Sequence, residues 1–207
     1  MGNFVITIAR GFGSGGKDIG MRLSKALGIP CYDRQLISMA SDRSMIDESL
    51  FVEVDEKLRG QSIQKFLNRM SSQAVLEPHE KGFTSDINLF NIVAEVIRTL
   101  AKTESCIIIG KCADDILKDY DNVLSLYIEA PRAACVKSIM EKMNVSEKRA
   151  HQLIRSTDSY RAKYYSFYSG GKDWTNPTNY DLVLNSDRMG RENCVRLIED
   201  LVKIRFS

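Results

Sequence analysis

No stretch of this 207-residue chain approaches the roughly 18 consecutive apolar residues that a membrane-spanning helix needs, so no membrane span is expected. Charge of one sign is also missing. With 29 basic and 27 acidic residues the net charge is +2, too small to attract nucleic acid by general electrostatics. Any anion site must therefore come from local arrangement. Histidine is scarce, with only His79 and His151, and the five cysteines (Cys31, Cys106, Cys112, Cys135, Cys194) form no C-x-x-C pair, which argues against structural zinc. The odd thiol count and the lack of a charged leader or apolar signal core lead us to expect reduced cysteines and a cytoplasmic protein. Cys31, Cys106 and Cys135 lie among apolar residues and read as core. There is no internal repeat and no low-complexity tract. A hydrophobic content of 43% and a charged content of 27% suit one soluble globular domain over residues 1–207.

Glycine is concentrated where the chain is most informative. The β-branched run Val5-Ile6-Thr7-Ile8 leads into Gly11-Phe12-Gly13-Ser14-Gly15-Gly16-Lys17-Asp18, and residues 19–28 follow with helical spacing. Gly11, Gly16 and Lys17 stand at the G-x-x-x-x-G-K spacing of a P-loop, whose backbone N–H groups wrap a phosphate chain while the lysine neutralises its outer oxygens. The helix start adds partial positive charge at the same point. Gly11, Gly13, Ser14, Gly15, Gly16, Lys17 and Asp18 are thus the candidate phosphate grip. The same letters also satisfy G-x-G-x-x-G, a dinucleotide turn, but Lys17 favours the P-loop and only the brief Ile29-Pro30-Cys31-Tyr32 leads to an acid, Asp33. Asp18 occupies the position at which a P-loop usually carries the magnesium-binding Ser or Thr, so its carboxylate is the candidate metal ligand.

Further apolar runs at 31–33, 105–110, 123–128 and 181–185 alternate with helical segments, which predicts an α/β domain: five mostly parallel strands in a three-layer αβα sandwich. Ligands of such sheets bind beyond the carboxyl ends of the strands. Asp33 and Arg34 emerge there after the second strand, and Lys111 and Asp114 after the third. All four are candidate substrate contacts, although Asp33 could equally cap a helix and Asp114 could equally match a helix dipole. Residues 44–85 read as a helical insertion on the acceptor side, with Lys65 and Arg69 as possible contacts and His79 in a loop. From Asp158 to Trp174 basic groups, tyrosines and Gly170-Gly171 are gathered, which suits a mobile cover over about 155–177. Its aromatics would alternatively stack on RNA bases, or serve a dimer.

With these parts in place the chain resembles the nucleoside monophosphate kinases, and most closely the bacterial cytidylate kinase-like family. The resemblance rests on Gly11–Gly16 with Lys17, Tyr32-Asp33, Ile109-Gly110-Lys111-Cys112-Ala113-Asp114, Asp158 with Arg161 and Tyr164-Tyr165, and Tyr180-Asp181-Leu182. It implies a P-loop NTPase-type kinase core, an acceptor-binding insert and an arginine-bearing lid. ATP with Mg2+ would be the phosphoryl donor, a nucleoside monophosphate (CMP or dCMP by default) the acceptor, and Lys17, Arg161 and Arg155 the catalytic cations. Lys111 stands where relatives tend to have arginine, and Ser159 and Tyr160 where they are often basic. Two other readings stay open: a nucleotide-binding regulator without turnover, and an RNA-associated P-loop protein. A homo-oligomer is compatible with either.

Overall fold

A computed structural model describes residues 2–53 and 74–206. Five strands form one sheet: β1 (Val5–Arg10), β2 (Cys31–Tyr32), β3 (Cys106–Ile109), β4 (Val123–Glu129) and β5 (Leu182–Asn185). The helices are α1 (Gly16–Leu27), α2 (Gln35–Ser44), α3 (Asp86–Thr103), α4 (Ala113–Ile116), α5 (Arg132–Met143), α6 (Glu147–Tyr168), α7 (Ser186–Met189) and α8 (Arg191–Phe206). Residues 48–53 are also helical, and a 3-10 turn covers Pro177–Asn179. The strand order is β2-β3-β1-β4-β5 and every pairing is parallel. β1 is therefore central, and the chain leaves it for opposite sides of the sheet at different times. The crevice at its carboxyl end is the expected ligand position in such topologies.

The pleat assigns the two faces. Val5 of β1 and Cys106 and Ile108 of β3 point into a core shared with α2 and α3 (Leu36, Leu89, Val93, Ile97). Their sequence neighbours Ile6, Ile8, Ile107 and Ile109 point into a second core with Ile19 and Leu23 of α1 and Val195 and Ile198 of α8. A central strand buried on both faces must read as a continuous apolar run, and β1 and β3 do. The result is the three-layer sandwich read from the sequence, with an all-parallel sheet.

Local signals set the helix ends. Gly28, in the left-handed region at φ 67°, closes α1 by donating to the Ser24 carbonyl. Ser85 and Ser146 cap α3 and α6 by accepting from the N–H groups of Asn88 and Arg149. Helix α6 differs from expectation. It runs unbroken for 22 residues, and Tyr164, Tyr165, Phe167 and Tyr168 on it are buried with Trp174, Tyr180, Tyr127 and Ala9 in an aromatic core. The segment taken for exposed lid aromatics is packed instead: Phe90 stacks on Tyr168 at 3.7 Å, and Tyr180 donates to the Trp174 carbonyl at 2.6 Å. Tyrosine misleads because its ring packs while its hydroxyl keeps a polar partner. RNA stacking on these rings is excluded by their burial.

Ser186, just after β5, opens α7 as a buried tie to the loop after β1 and the end of β4. Its hydroxyl contacts the Ser14 carbonyl at 2.5 Å and the Glu129 carbonyl at 3.2 Å. Ser186→Ala should lower unfolding free energy in urea by about 1–2 kcal/mol, since it leaves a buried carbonyl less well satisfied. Unchanged stability would show that the tie contributes nothing net.

Candidate functional site

Between β1 and α1 the chain wraps tightly around a turn built from its own neighbours. The Gly11 N–H donates to Ile128 O at 3.1 Å and continues the ladder, and the Ser14 N–H and hydroxyl both return to the Gly11 carbonyl, at 3.3 and 2.9 Å. Gly15 sits at φ 83° as the N-cap of α1 and has no side chain to cap it. The first bond into the helix is from Ile19 N–H to Gly15 O, at 2.9 Å. The N–H groups of Gly16, Lys17 and Asp18 consequently have no partner within the helix, and they face the crevice as anion donors. A Cβ on Gly13 would lie 2.8 Å from the Cys135 carbonyl, and one on Gly11 would collide with the Glu129 carboxylate. The turn tolerates no side chains there.

Charged side chains from five different segments meet at this turn. Lys17 Nζ lies 2.7 Å from Asp33 Oδ2, while the other oxygen of Asp33 faces Arg10 Nη2 at 3.8 Å. Asp33 thus bridges a P-loop lysine and the last residue of β1. It is not a helix cap, because α2 is entered through Arg34 without a side-chain cap bond. From α6, Asp158 accepts the Phe12 N–H at 2.8 Å, and Arg161 donates to the Arg10 carbonyl at 2.8 Å with its guanidinium over the Phe12 ring. Asp158 and Arg161 also pair at 3.5 Å. On the far side, Asp18 Oδ2 receives Arg22 Nε at 3.1 Å and Arg191 Nη1 at 3.2 Å. Arg191 packs so closely on Gly15 that a Cβ there would be 2.6 Å from its Nε.

Burial and like charge shape the protonation of these groups. The Arg10 guanidinium is pushed down to about 10, first by burial and then by the nearby Arg161, with Asp33 pulling the other way. Arg161 is lowered mainly by burial, and Asp158 is raised by burial against the Phe12 N–H and Arg161. Both arginines remain charged at neutral pH, and Asp33, Asp158 and Glu129 stand beside them at the same turn.

The remaining sequence candidates are placed as follows. Arg34 is exposed at the start of α2, and Arg155 is exposed on α6. Lys111 lies in a left-handed stretch, with φ of 73°, 58° and 56° at Gly110, Lys111 and Cys112, and its ammonium is 5.4 Å from the Tyr164 ring centre. It borders a shallow, partly open recess lined by Ile37, Phe51, Leu89, Phe90, Tyr164 and Tyr168. Asp114 is buried and accepts from the Tyr165 hydroxyl at 2.7 Å, so its carboxylate is engaged in the aromatic core. His79 is exposed. Lys65 and Arg69 lie outside the described residues. Two residues that sequence reasoning passed over join the site: Arg10, which reads there as the end of a strand, and Arg191, which is far from the loop in sequence and is brought back by β5 and α8.

As to metal, the described residues include no cluster of three His, Cys, Asp or Glu side chains. What they offer is single, partly exposed carboxylates, Asp18 and Asp33. That donor set fits magnesium arriving on a nucleotide, which keeps waters and phosphate oxygens and takes one or two protein carboxylates.

A parallel sheet in this order, with a glycine-rich loop and lysine at its central strand, defines a P-loop kinase fold. The solved structures agree at the level of fold. An uncharacterized protein from Eubacterium ventriosum matches with TM-score 0.70 and 23% identity, over 97% of this chain and 99% of its own. Shikimate kinase from Bacteroides thetaiotaomicron matches with TM-score 0.51 and 11% identity, over 97% and 98%. No curated protein sequence matches significantly. The chain belongs to the Cytidylate kinase-like family, whose pattern covers residues 5–188. No helix among the described residues is long and apolar enough to cross a membrane.

Asp114 supplies a test of the core beside the site. Burial raises its carboxyl to about 6, only partly opposed by the Tyr165 hydroxyl bond. A folded-state value above the unfolded one means that the stabilising contribution is full below the unfolded value, near 4, and is lost as pH rises through 6. Relative to Asp114→Asn, the wild-type protein should therefore lose on the order of 2–3 kcal/mol of unfolding free energy between pH 4 and 7. Parallel stability curves for the two proteins would contradict this.

Proposed function

We propose that this protein is an ATP-dependent phosphotransferase that moves the γ-phosphate of MgATP to a small phosphorylated acceptor, with a nucleoside monophosphate such as CMP or dCMP as the default. The observation that carries the proposal is the convergence of unpartnered helix-start N–H groups, Lys17, Arg10 and Arg161 at the carboxyl end of the central strand. A polyphosphate is the ligand whose charge and oxygen count match such a floor.

In this reading the donor phosphates lie along Gly11–Asp18, and Lys17 transfers its contact from Asp33 to the outer phosphate. Magnesium arriving with ATP would supply charge neutralisation to the phosphates. Asp18 would be the residue to hold it, in exchange for one of its arginine partners. Arg161, already anchored by Asp158, stabilises charge on the equatorial oxygens of the group in flight. Phosphoryl transfer depends on alignment and charge neutralisation more than on covalent chemistry, and these residues provide both. The acceptor lies on the Lys111 side of the crevice, with Asp33 and Arg34 at its phosphate end. Arg155, exposed on α6, would close on the bound pair.

ADP release should be followed with purified protein, MgATP and a panel of nucleoside monophosphates, deoxy forms and non-nucleotide acceptors. Acceptor-dependent turnover is expected, and silence across the panel with ATP still bound would favour a nucleotide-binding regulator. Lys17→Ala should fold normally yet lose turnover almost completely, because the residue is half-exposed and belongs to no core. Arg161→Ala should lower kcat on the order of 10³-fold while the KM for ATP changes little. A loss confined to ATP affinity would remove Arg161 from the transition state.

A further inference from the structure

Helices α5 and α6 close a small core of their own, apart from the two that flank the sheet. Cys135, Val136 and Ile139 of α5 meet Ala150 and Ile154 of α6 there. The phosphate loop reaches this core through one side chain, the half-buried Phe12, which packs against it. The next residue keeps the approach close, since a Cβ on Gly13 would lie 2.8 Å from the Cys135 carbonyl. Residues 11–16 are otherwise glycine and serine. Wrapping a phosphate needs only backbone N–H groups, so that task does not account for an aromatic ring at the second position of the loop.

The ring lies beneath Arg161. The guanidinium carbon stands over it, 5.5 Å from its centre, within the roughly 6 Å at which a cation is attracted to a ring face. Both polar contacts of that guanidinium run through one nitrogen: Nη1 donates to the Arg10 carbonyl at 2.8 Å and lies 3.5 Å from Asp158 Oδ1. A planar group tethered at a single atom is free to swing about it. These contacts therefore fix where the fork is anchored and leave open where its other donors point. A ring against its face removes that freedom, because guanidinium planes stack on aromatic faces. The Phe12 N–H also donates to Asp158 Oδ1 at 2.8 Å. Side chain and backbone of one loop residue thus engage two charged residues one turn apart on α6.

We propose that Phe12 is a positioning residue: its ring sets the plane of the Arg161 guanidinium toward the phosphoryl group in flight, while its N–H keeps Asp158 alongside. This rests on the kinase reading above and adds to it the residue that joins the phosphate loop to α6. Seating the donor phosphates on the loop and aiming the arginine become one geometric event, because Phe12 belongs to both. A misplacement of about 1 Å at a reacting centre lowers rate on the order of 10²-fold. Letting a tethered guanidinium swing is a smaller disturbance, of about tenfold. Phe12→Leu separates the roles of the residue: it keeps apolar fill for the α5–α6 core and the N–H bond to Asp158 but removes the ring face. Phe12→Tyr keeps all three.

The test compares Phe12→Leu, Phe12→Tyr, Arg161→Ala and the double variant Phe12→Leu/Arg161→Ala with wild type, by steady-state kinetics on whichever acceptor the panel identifies and by urea unfolding. Phe12→Leu should lower kcat about tenfold while the KM for ATP changes less than about threefold, and Phe12→Tyr should bring kcat back to within about threefold of wild type. On the Arg161→Ala background, Phe12→Leu should lower kcat by less than about twofold more, because no guanidinium is left to orient. In urea the two single substitutions should be non-additive by about fivefold in the unfolding equilibrium constant, the size expected of a shielded cation–ring contact. That cycle needs no turnover. If wild type is silent across the panel, the kinase reading fails by itself and the unfolding cycle alone decides whether ring and guanidinium are coupled. Additive unfolding effects, an equal loss of kcat on both backgrounds, or a loss confined to the KM for ATP would reduce Phe12 to filler of the α5–α6 core and overturn the proposal. If Phe12→Leu fails to fold, Phe12→Met carries the same comparisons.

Discussion

Everything at the carboxyl edge of the sheet depends on how closely the turn after β1 can be approached. Four glycines line that turn, and each faces a group that a side chain would displace: the Glu129 carboxylate at Gly11, the Cys135 backbone at Gly13, Arg191 at Gly15 and Arg10 at Gly16. The close approach has two consequences. Backbone N–H groups at the start of α1 are left for a ligand, because no side chain caps them. Charged groups from β1, β2, α6 and α8 also come within reach of the same small volume. The two cores on either side of the sheet hold this arrangement rigidly, since β1 is buried on both faces.

The electrostatics of the crevice follow from this crowding. Each acid is engaged by a base or a backbone N–H: Asp33 by Lys17, Asp158 by Phe12 and Arg161, Asp18 by Arg22 and Arg191. The arrangement resembles a set of loans held until a stronger anion arrives. A polyphosphate would compete for Lys17 and the arginines with more charge than one carboxylate brings, and the released acids would then serve magnesium or hold their cations in register. Such a site is ordered before the ligand binds, which lowers the entropy cost of alignment.

Much of this was legible in the residues alone. Four of the five strands carry β-branched or apolar runs of several residues, β2 being only Cys31–Tyr32, and the loop announces itself through Gly11, Gly16 and Lys17. Strand order was not legible, because it depends on which helices pack together across long separations, as α1 does with α8. The aromatics after Ile154 read as exposed because tyrosines among lysines and arginines look like a surface by composition, whereas Tyr164, Tyr165 and Tyr168 bury their rings. Arg10 escaped notice for a different reason. An arginine at the end of a strand gives no sequence signal, and only the proximity of Gly110, a hundred residues away, reveals that room has been made for it. Arg191 is likewise visible only through tertiary contact.

The account stands or falls on whether a phosphoryl group moves from ATP to an acceptor phosphate. The most direct measurement is 31P NMR of the protein incubated with MgATP and CMP. The account predicts that the CMP monoester resonance is replaced by the coupled pair of a diphosphate while ATP is converted to ADP, with no free phosphate accumulating. Release of inorganic phosphate with CMP unchanged, or an unaltered spectrum with CMP and with every other monophosphate tried, would contradict it.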